Sequence, residues 1–228
     1  MSGHRYEPRT AFGRWVNTIE ETLIAVLLGL MTVVTFINVV LRYGFNSSFI
    51  WGLEVTLILF AWLVILGVSY CIKITAHLGV DALTNAMPSR LQRGTALVAG
   101  LCCVAYGLLL LKGAWDYWAP FAALQPTEGR WFPLGFTEGV RDRAFYTTDQ
   151  VPMLEIFRWL EPLINYDEEY EKLPRVIPYA VLPFGAALIL YRFVEATIAI
   201  ARGRRKGLIV SHEAEDAVED VAAMNRGD

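Results

Sequence analysis

Long apolar blocks, separated by polar stretches, set the pattern of this chain. The first two blocks cover residues 23–41 and 50–72 and are joined by a polar hinge at residues 42–49. Two more blocks follow at residues 95–111 and 176–201. An α-helix rises about 1.5 Å per residue, so helices of this length reach across the ~30 Å hydrocarbon core of a bilayer. The pattern predicts an all-α integral membrane protein with four transmembrane helices, of which the first two form a hairpin.

The polar segments around these blocks predict surface elements. Residues 1–20 combine three arginines with an apolar helical stripe, which predicts an interfacial helix at the membrane; a solvated tail is the alternative. Residues 119–175, the long loop, are acidic and carry an amphipathic pattern at 154–164 that predicts a short helix. The loop is too short for a sizeable core, so we expect it to lie over the membrane or a partner. Residues 202–228 are expected to be a polar tail. The N-terminal stripe consists of Phe12, Trp15, Val16 and Ile19.

Positive charge near the ends of the blocks predicts their orientation. The hinge has only Arg42, whereas three other flanks are more basic. Cytoplasmic flanks carry the excess of Lys and Arg, so we expect both termini in the cytoplasm and the hinge and long loop outside. The first block exceeds signal-peptide length and lacks a small-x-small cleavage site, so we expect a retained helix. The basic flanks contain Arg5, Arg9, Arg14, Lys73, Arg90, Arg93, Arg202, Arg204, Arg205 and Lys206.

Composition excludes several classes of protein. Hydrophobic residues make up 55% of the 228 residues and the formal net charge is −3, which excludes a disordered chain and offers no basic excess for nucleic acid. The cysteines, Cys71, Cys102 and Cys103, all lie inside apolar blocks without a Cys-x-x-Cys spacing. They predict small packed thiols, not a disulfide framework or a zinc site.

Polar residues at the hinge are the strongest candidates for a specific role. Asn38 and Arg42 lie four apart at the end of the first helix, and Glu54 lies in the first turns of the second. A short hinge can bring Arg42 and Glu54 together, with Asn38 adding a hydrogen bond beneath them. Three interpretations remain open: a structural ion pair, an ion or substrate site, and a contact with a partner subunit. The structural pair is favoured, because the third helix lacks the deep polar residues that a substrate pathway needs.

No other constellation predicts chemistry. His77 and Asp81 lie four apart in the connection to the third helix and predict a surface pair. The remaining histidines, His4 and His212, are in the tails, so neither a metal site nor bis-histidine haem is predicted. There is no serine–histidine–acid triad and no Gly-rich phosphate loop. The sequence therefore predicts a protein that is not an enzyme and has no catalytic residue, metal or cofactor.

Helices three and four carry association signals. Ala99, Cys103 and Gly107 recur every four residues, and such small residues let another helix approach closely. Arg192 and Glu195 are three apart and predict an ion pair or snorkelling near the interface. An aromatic girdle for the membrane surface is predicted at Trp115, Tyr117 and Trp118.

Taken in order, the polar and small residues resemble the small membrane subunit of tripartite ATP-independent periplasmic (TRAP) transporters, the DctQ-like family. The resemblance covers roughly residues 20–120, and the fourth helix fits by position and hydropathy. The ordered set is Asn38, Arg42, Tyr43, Trp51, Glu54, Gly67, His77, Val80, Asp81 and Pro88.

The resemblance implies a division of labour among three proteins. A periplasmic solute-binding protein captures an organic acid, often a dicarboxylate or sialic acid. A large multi-helix membrane subunit moves it inwards on an ion gradient, commonly of sodium, and the small subunit acts as a scaffold in the bacterial inner membrane. On this view the hinge and connection residues hold the hairpin and its partner contacts. These residues are Asn38, Arg42, Trp51, Glu54, His77 and Asp81.

One departure and two rival functions remain. The long loop exceeds the compact connection typical of the family, and we expect it to cap the outer face near the site where the binding protein docks. The first rival is a self-sufficient, homo-oligomeric small transporter built around Glu54. The second is a membrane thiol-redox protein that uses Cys71, Cys102 or Cys103.

Overall fold

The protein is mostly helical, as predicted. A computed structural model describes residues 11–74, 88–127, 129–132, 145–164 and 169–203. Within these ranges four helical stretches are long and apolar enough to cross a membrane, in agreement with the four predicted blocks. The stretches are Gly13–Gly44, Gly52–Ile74, Leu91–Ala122 and Val176–Ala201.

Two of the helices are longer than their apolar blocks. Helix α1 runs without a break over Ala11–Gly44, so the structure has no helix boundary after residue 20. No glycine or proline lies between residues 14 and 28 to end the helix there. Helix α2 covers Gly52–Ile74, and α3 covers Ser89–Trp118. Hydropathy marks only the apolar centre of a helix, whereas the backbone hydrogen bonds of α3 continue through its polar ends.

The long loop is structured over much of its length. A 3₁₀-helix at Ala119–Ala122 follows α3, and a second one at Glu155–Leu160 leads into the short helix α4, Glu161–Ile164. The helical segment predicted at residues 154–164 is therefore present. Helix α5, Val176–Tyr179, and helix α6, Val181–Ala201, complete the fourth span.

A two-stranded antiparallel ribbon in the long loop was not predicted. Strand β1, Thr147–Pro152, pairs with strand β2, Lys172–Pro174, with an irregularity in the register. Both strands end in proline, which removes a ladder donor and hides the pattern from sequence analysis. The ribbon brings together two parts of the chain that are about twenty residues apart.

The chain divides into two compact units, one of Met1–Val68 with Leu108–Leu188 and one of Ser69–Gly107 with Ile189–Asp228. The first unit has a small core in the long loop, made of Val151, Met153 and Leu173. Part of its covering comes from α2. The residues packed against this core are Val55, Ile58, Phe157, Tyr170 and Ile177. The loop thus rests on a spanning helix of its own chain.

Close helix contacts within each unit depend on glycines. In the first unit, a Cβ at Gly185 of α6 would overlap the Cγ2 methyl of Ile65 on α2. In the second unit, a Cβ at Gly107 of α3 would lie 3.2 Å from Leu190 of α6. Gly100 likewise faces Thr197 of α6. Such missing side chains let helices approach closely, as small residues do in membranes.

Candidate functional site

The hinge is a tight turn fixed by its own backbone. The N–H groups of Phe45 and Ser47 both donate to the Leu41 carbonyl at 3.0 Å, which closes the end of α1. Asn46 lies between them with φ +49°, a left-handed conformation that asparagine tolerates better than most residues. The Gly52 N–H donates to the Phe49 carbonyl at 3.1 Å and starts α2. These bonds set the geometry of the helical hairpin.

Asn38 ties the two helices across this turn. Its Oδ1 accepts a hydrogen bond from the Phe49 N–H at 3.1 Å. A Cβ at Gly52 would lie 3.3 Å from the Asn38 amide nitrogen, so the glycine leaves room for this side chain. The Phe49 ring stacks on Trp51 with centroids 4.7 Å apart. Asn38 and Trp51 therefore both belong to the packing of the hinge.

Glu54 binds the long loop. Its Oε1 accepts the Asp149 N–H at 3.0 Å, and its Oε2 accepts the Gln150 N–H at 2.7 Å. Both carboxylate oxygens of this half-buried side chain are thus bonded to β1. Hydrogen bonds to an ionised acceptor are the stronger kind. We call this arrangement the Glu54 clamp; it fastens the ribbon to the first turn of α2.

The prediction of an ion pair between Arg42 and Glu54 is wrong, because the two side chains do not pair. Glu54 turns to the amides of β1, and none of the ion pairs between described residues includes Arg42. Arg42 is exposed and borders a cavity of about 540 Å³ at the hinge. Polar hinge atoms line much of this cavity. Its lining consists of Asn38, Arg42, Asn46, Ser47, Ser48, Phe49 and Ile50.

Asp149 connects the clamp to the start of the fourth span. The Arg175 guanidinium forms an ion pair with the Asp149 carboxylate at 2.7 Å, and its Nε donates to the Thr147 carbonyl at 3.0 Å. Lys172 donates to the Asp149 carbonyl from β2. Arg175 lies immediately before α5, so a continuous set of polar bonds runs from α2 through β1 to the fourth span.

A second polar anchor, at Asp116, was missed in the sequence analysis. Its Oδ1 accepts both the N–H and the hydroxyl of Thr127, and its Oδ2 pairs with Lys112 at 2.7 Å. Thr127 is buried. This cluster fixes the path of the chain as it leaves α3. The i, i+4 spacing of Lys112 and Asp116 was the available signal, but a partner eleven residues further on has no signature.

The other predicted site residues have different outcomes. His77 and Asp81 lie outside the described residues. On α3, Gly107 is buried against α6, whereas Ala99 is exposed and Cys103 half-buried, so the small-residue surface is divided. The predicted Arg192–Glu195 ion pair is confirmed, with an N–O distance of 3.1 Å. The free cysteines among the described residues are Cys71, Cys102 and Cys103.

Four apolar spans, with polar groups that bond to backbone of the same chain, define a multi-pass membrane protein. The DctQ component of tripartite ATP-independent periplasmic transporters matches residues 31–135 as a family. A C4-dicarboxylate TRAP transporter small permease protein of Vibrio cholerae is 43% identical over 211 residues, covering 92% of this chain and 83% of that protein. The chain belongs to this DctQ family of TRAP transporter components.

Of two further relatives, one is matched over most of its length and the other over a small part of it. A small permease protein DctQ of Pseudomonas aeruginosa is 28% identical over 236 residues, covering 92% of this chain and 95% of that protein. The sialic acid TRAP transporter permease protein SiaT of Haemophilus influenzae is 25% identical over 182 residues. That match covers 75% of this chain but 28% of SiaT. In SiaT, a segment similar to this chain is thus part of a larger permease polypeptide.

Proposed function

We propose that the chain is the small scaffold subunit of a TRAP-type secondary transporter, where it supports the large membrane subunit during ion-gradient-driven uptake of an organic acid. Membership in the DctQ family carries this proposal. The structure adds a physical reason. The carboxylate at the start of α2, Glu54, has both oxygens bonded to β1 and serves the fold of its own chain.

The substrate class follows from the relatives. The Vibrio and Pseudomonas proteins, which cover most of this chain, carry C4-dicarboxylate in their names. The sialic acid permease is less similar, at 25% identity. A C4-dicarboxylate is therefore the substrate of the complex that we propose. We propose that other chains of the complex recognise it.

The principal partner is the large, many-helix membrane subunit. In SiaT the corresponding segment shares one polypeptide with a longer remainder, which supports an assembly of separate chains here. Helix α1 leaves most of its apolar side chains exposed, and these offer surface to a neighbouring helix as well as to lipid. We propose that Arg42 and the hinge cavity contact the large subunit, because an exposed arginine at a membrane boundary can pair with a partner's acceptors.

The orientation and the second partner are also proposals. The positive charge of the flanks supports cytoplasmic termini, with the hinge and the long loop facing the periplasm. A soluble binding protein would then deliver the acid on the side of the long loop. The ribbon, fastened to α2 by the Glu54 clamp, is positioned to meet it there.

Co-purification tests the assembly. A tagged chain, extracted in mild detergent, should retain a many-helix membrane protein in a fixed ratio. Arg42→Ala should lower that ratio, whereas Arg158→Ala, in the long loop, should leave it unchanged. Recovery of the chain as a homo-oligomer that transports solute unaided would contradict the proposal and favour the self-sufficient transporter. An unaltered ratio in Arg42→Ala would contradict only the proposed hinge contact.

A further inference from the structure

The helical segment of the long loop and the residue before it expose several large apolar side chains. Residues 154–164 carry four large apolar side chains with exposed fractions between 47% and 72%. We call them the apolar ridge. The ridge consists of Leu154, Ile156, Trp159 and Leu163. We propose that this ridge inserts into the lipid leaflet beside the hinge. The long loop would then be anchored to the membrane by the ridge as well as by the spanning helices at its two ends. This inference does not depend on the proposed function.

The rotation of the segment is fixed by its other side. Phe157 packs against the loop core of Val151, Met153 and Leu173. Glu161 is buried, and its Oε1 accepts the Tyr170 N–H at 3.0 Å. The ridge therefore cannot turn inwards without breaking this core and leaving a buried carboxylate unsatisfied.

The depth of the segment follows from the helix on which it rests. The loop core contacts Val55 and Ile58, which belong to the first two turns of α2. Ile58 is six residues beyond Gly52, about 9 Å along the helix axis at ~1.5 Å per residue. Since α2 is a spanning helix, a core beside its first two turns lies at the membrane boundary and not in bulk solvent. The Glu54 clamp holds β1 at the same level.

The composition of the ridge matches an interfacial helix. Such segments place Trp, Leu and other apolar residues at the boundary of headgroups and acyl chains, with their charges on the opposite side. The charged residues of the segment pair with one another: Arg158 pairs with Glu155 at 2.8 Å and with Glu161 at 3.3 Å. The Glu155 hydrogen bond, followed by its charge, raises the pKa of the Arg158 guanidinium, which stays ionised.

The charge of the segment indicates that apolar contact, and not attraction to headgroups, would hold it in the membrane. The helical segment has two acidic residues and one basic residue, and further acidic residues follow it, so anionic headgroups would not attract it. We therefore expect insertion into zwitterionic bilayers, with little dependence on salt.

Site-directed spin labelling tests the insertion. The complex, with the native cysteines replaced by serine, is placed in phosphatidylcholine nanodiscs and labelled through Trp159→Cys, Leu163→Cys or, as a control, Glu155→Cys. Collision rates with oxygen, which concentrates in hydrocarbon, and with a neutral nickel chelate, which stays in water, report depth. We expect the logarithm of the oxygen-to-nickel ratio to be positive at 159 and 163 and negative at 155.

Two results would overturn the proposal. Negative values at 159 and 163 would mean that the ridge faces water. Loss of both collision rates there would mean that another protein covers it. If the cysteine variants do not assemble, brominated phosphatidylcholine quenching of the otherwise unmodified complex gives a second measurement. Trp159→Phe should then lower the amount of tryptophan fluorescence that the brominated lipid quenches, and an unchanged quenched amount would contradict insertion.

Discussion

Replacing Glu54 by glutamine tests the clamp between α2 and the long loop. The carboxylate accepts two N–H groups, from Asp149 at 3.0 Å and from Gln150 at 2.7 Å. Glutamine has the same shape but only one side-chain oxygen. Its amide nitrogen would face the second N–H, donor against donor. The substitution therefore removes one bond outright and makes the other neutral.

The size of the effect follows from these two bonds. A hydrogen bond to a charged group contributes ~1.5–3 kcal/mol and a neutral one ~0.5–1.5 kcal/mol. The side chain is half-buried, so we take the lower part of these ranges. The net loss is about 2 kcal/mol of local anchoring, which corresponds to a ~30-fold rise in the opening of β1.

Hydrogen–deuterium exchange of the assembled complex in nanodiscs measures this opening. The amides of Asp149 and Gln150 should exchange ~30-fold faster in Glu54→Gln than in the unmodified protein. Glu155→Gln is the matched control, because that carboxylate is 83% exposed and, among the described residues, pairs with Arg158. Exposed ion pairs contribute little, so exchange at β1 should be nearly unchanged. Equal exchange in Glu54→Gln and the unmodified protein would refute the clamp.

Three further predictions concern packing, the second anchor and the thiols. Gly185→Ala should destabilise the complex by about 1–3 kcal/mol and lower its melting temperature, because the added Cβ overlaps Ile65. Gly113→Ala places its Cβ in open space and should leave the melting temperature nearly unchanged. Asp116→Ala should increase proteolytic cleavage near Thr127, and unchanged cleavage would speak against the anchor. Serine at all three cysteines should leave solute uptake largely intact, and loss of uptake would favour the redox alternative. These cysteines are Cys71, Cys102 and Cys103.

The number of spans and the presence of the hairpin were readable from the sequence. Bilayer thickness fixes the length of an apolar block, so the block at residues 50–72 predicts α2, Gly52–Ile74, within two residues at each end. The ends of α3 were not readable in this way. Its first and last turns are polar and amphipathic, and hydropathy does not register them although the helix continues.

The partner of Glu54 could not be predicted from spacing. Arg42 is close in sequence and opposite in charge, but the donors that Glu54 uses are backbone N–H groups 95 and 96 residues away. Every residue except proline carries such a donor, so no residue type marks them. They become available through the β1–β2 ribbon. Its strands are short and each ends in proline, so the sequence pattern does not reveal them.

The small residues of α3 illustrate a related limit. Their spacing predicted that a helix would approach closely, but not which helix. Gly107 faces Leu190 of α6 in the same chain, while Ala99 is exposed. A residue pattern records that a contact is close, whereas the topology decides whether the neighbour belongs to the same polypeptide.

Reconstitution in proteoliposomes tests the central claim most directly. Three preparations are compared: this chain alone, the large membrane subunit alone, and the two together, each with the binding protein, an ion gradient and a labelled C4-dicarboxylate. If the chain is a scaffold that does not itself transport, uptake occurs only when both membrane subunits are present. Uptake by this chain alone, or full uptake by the large subunit without it, would contradict the account.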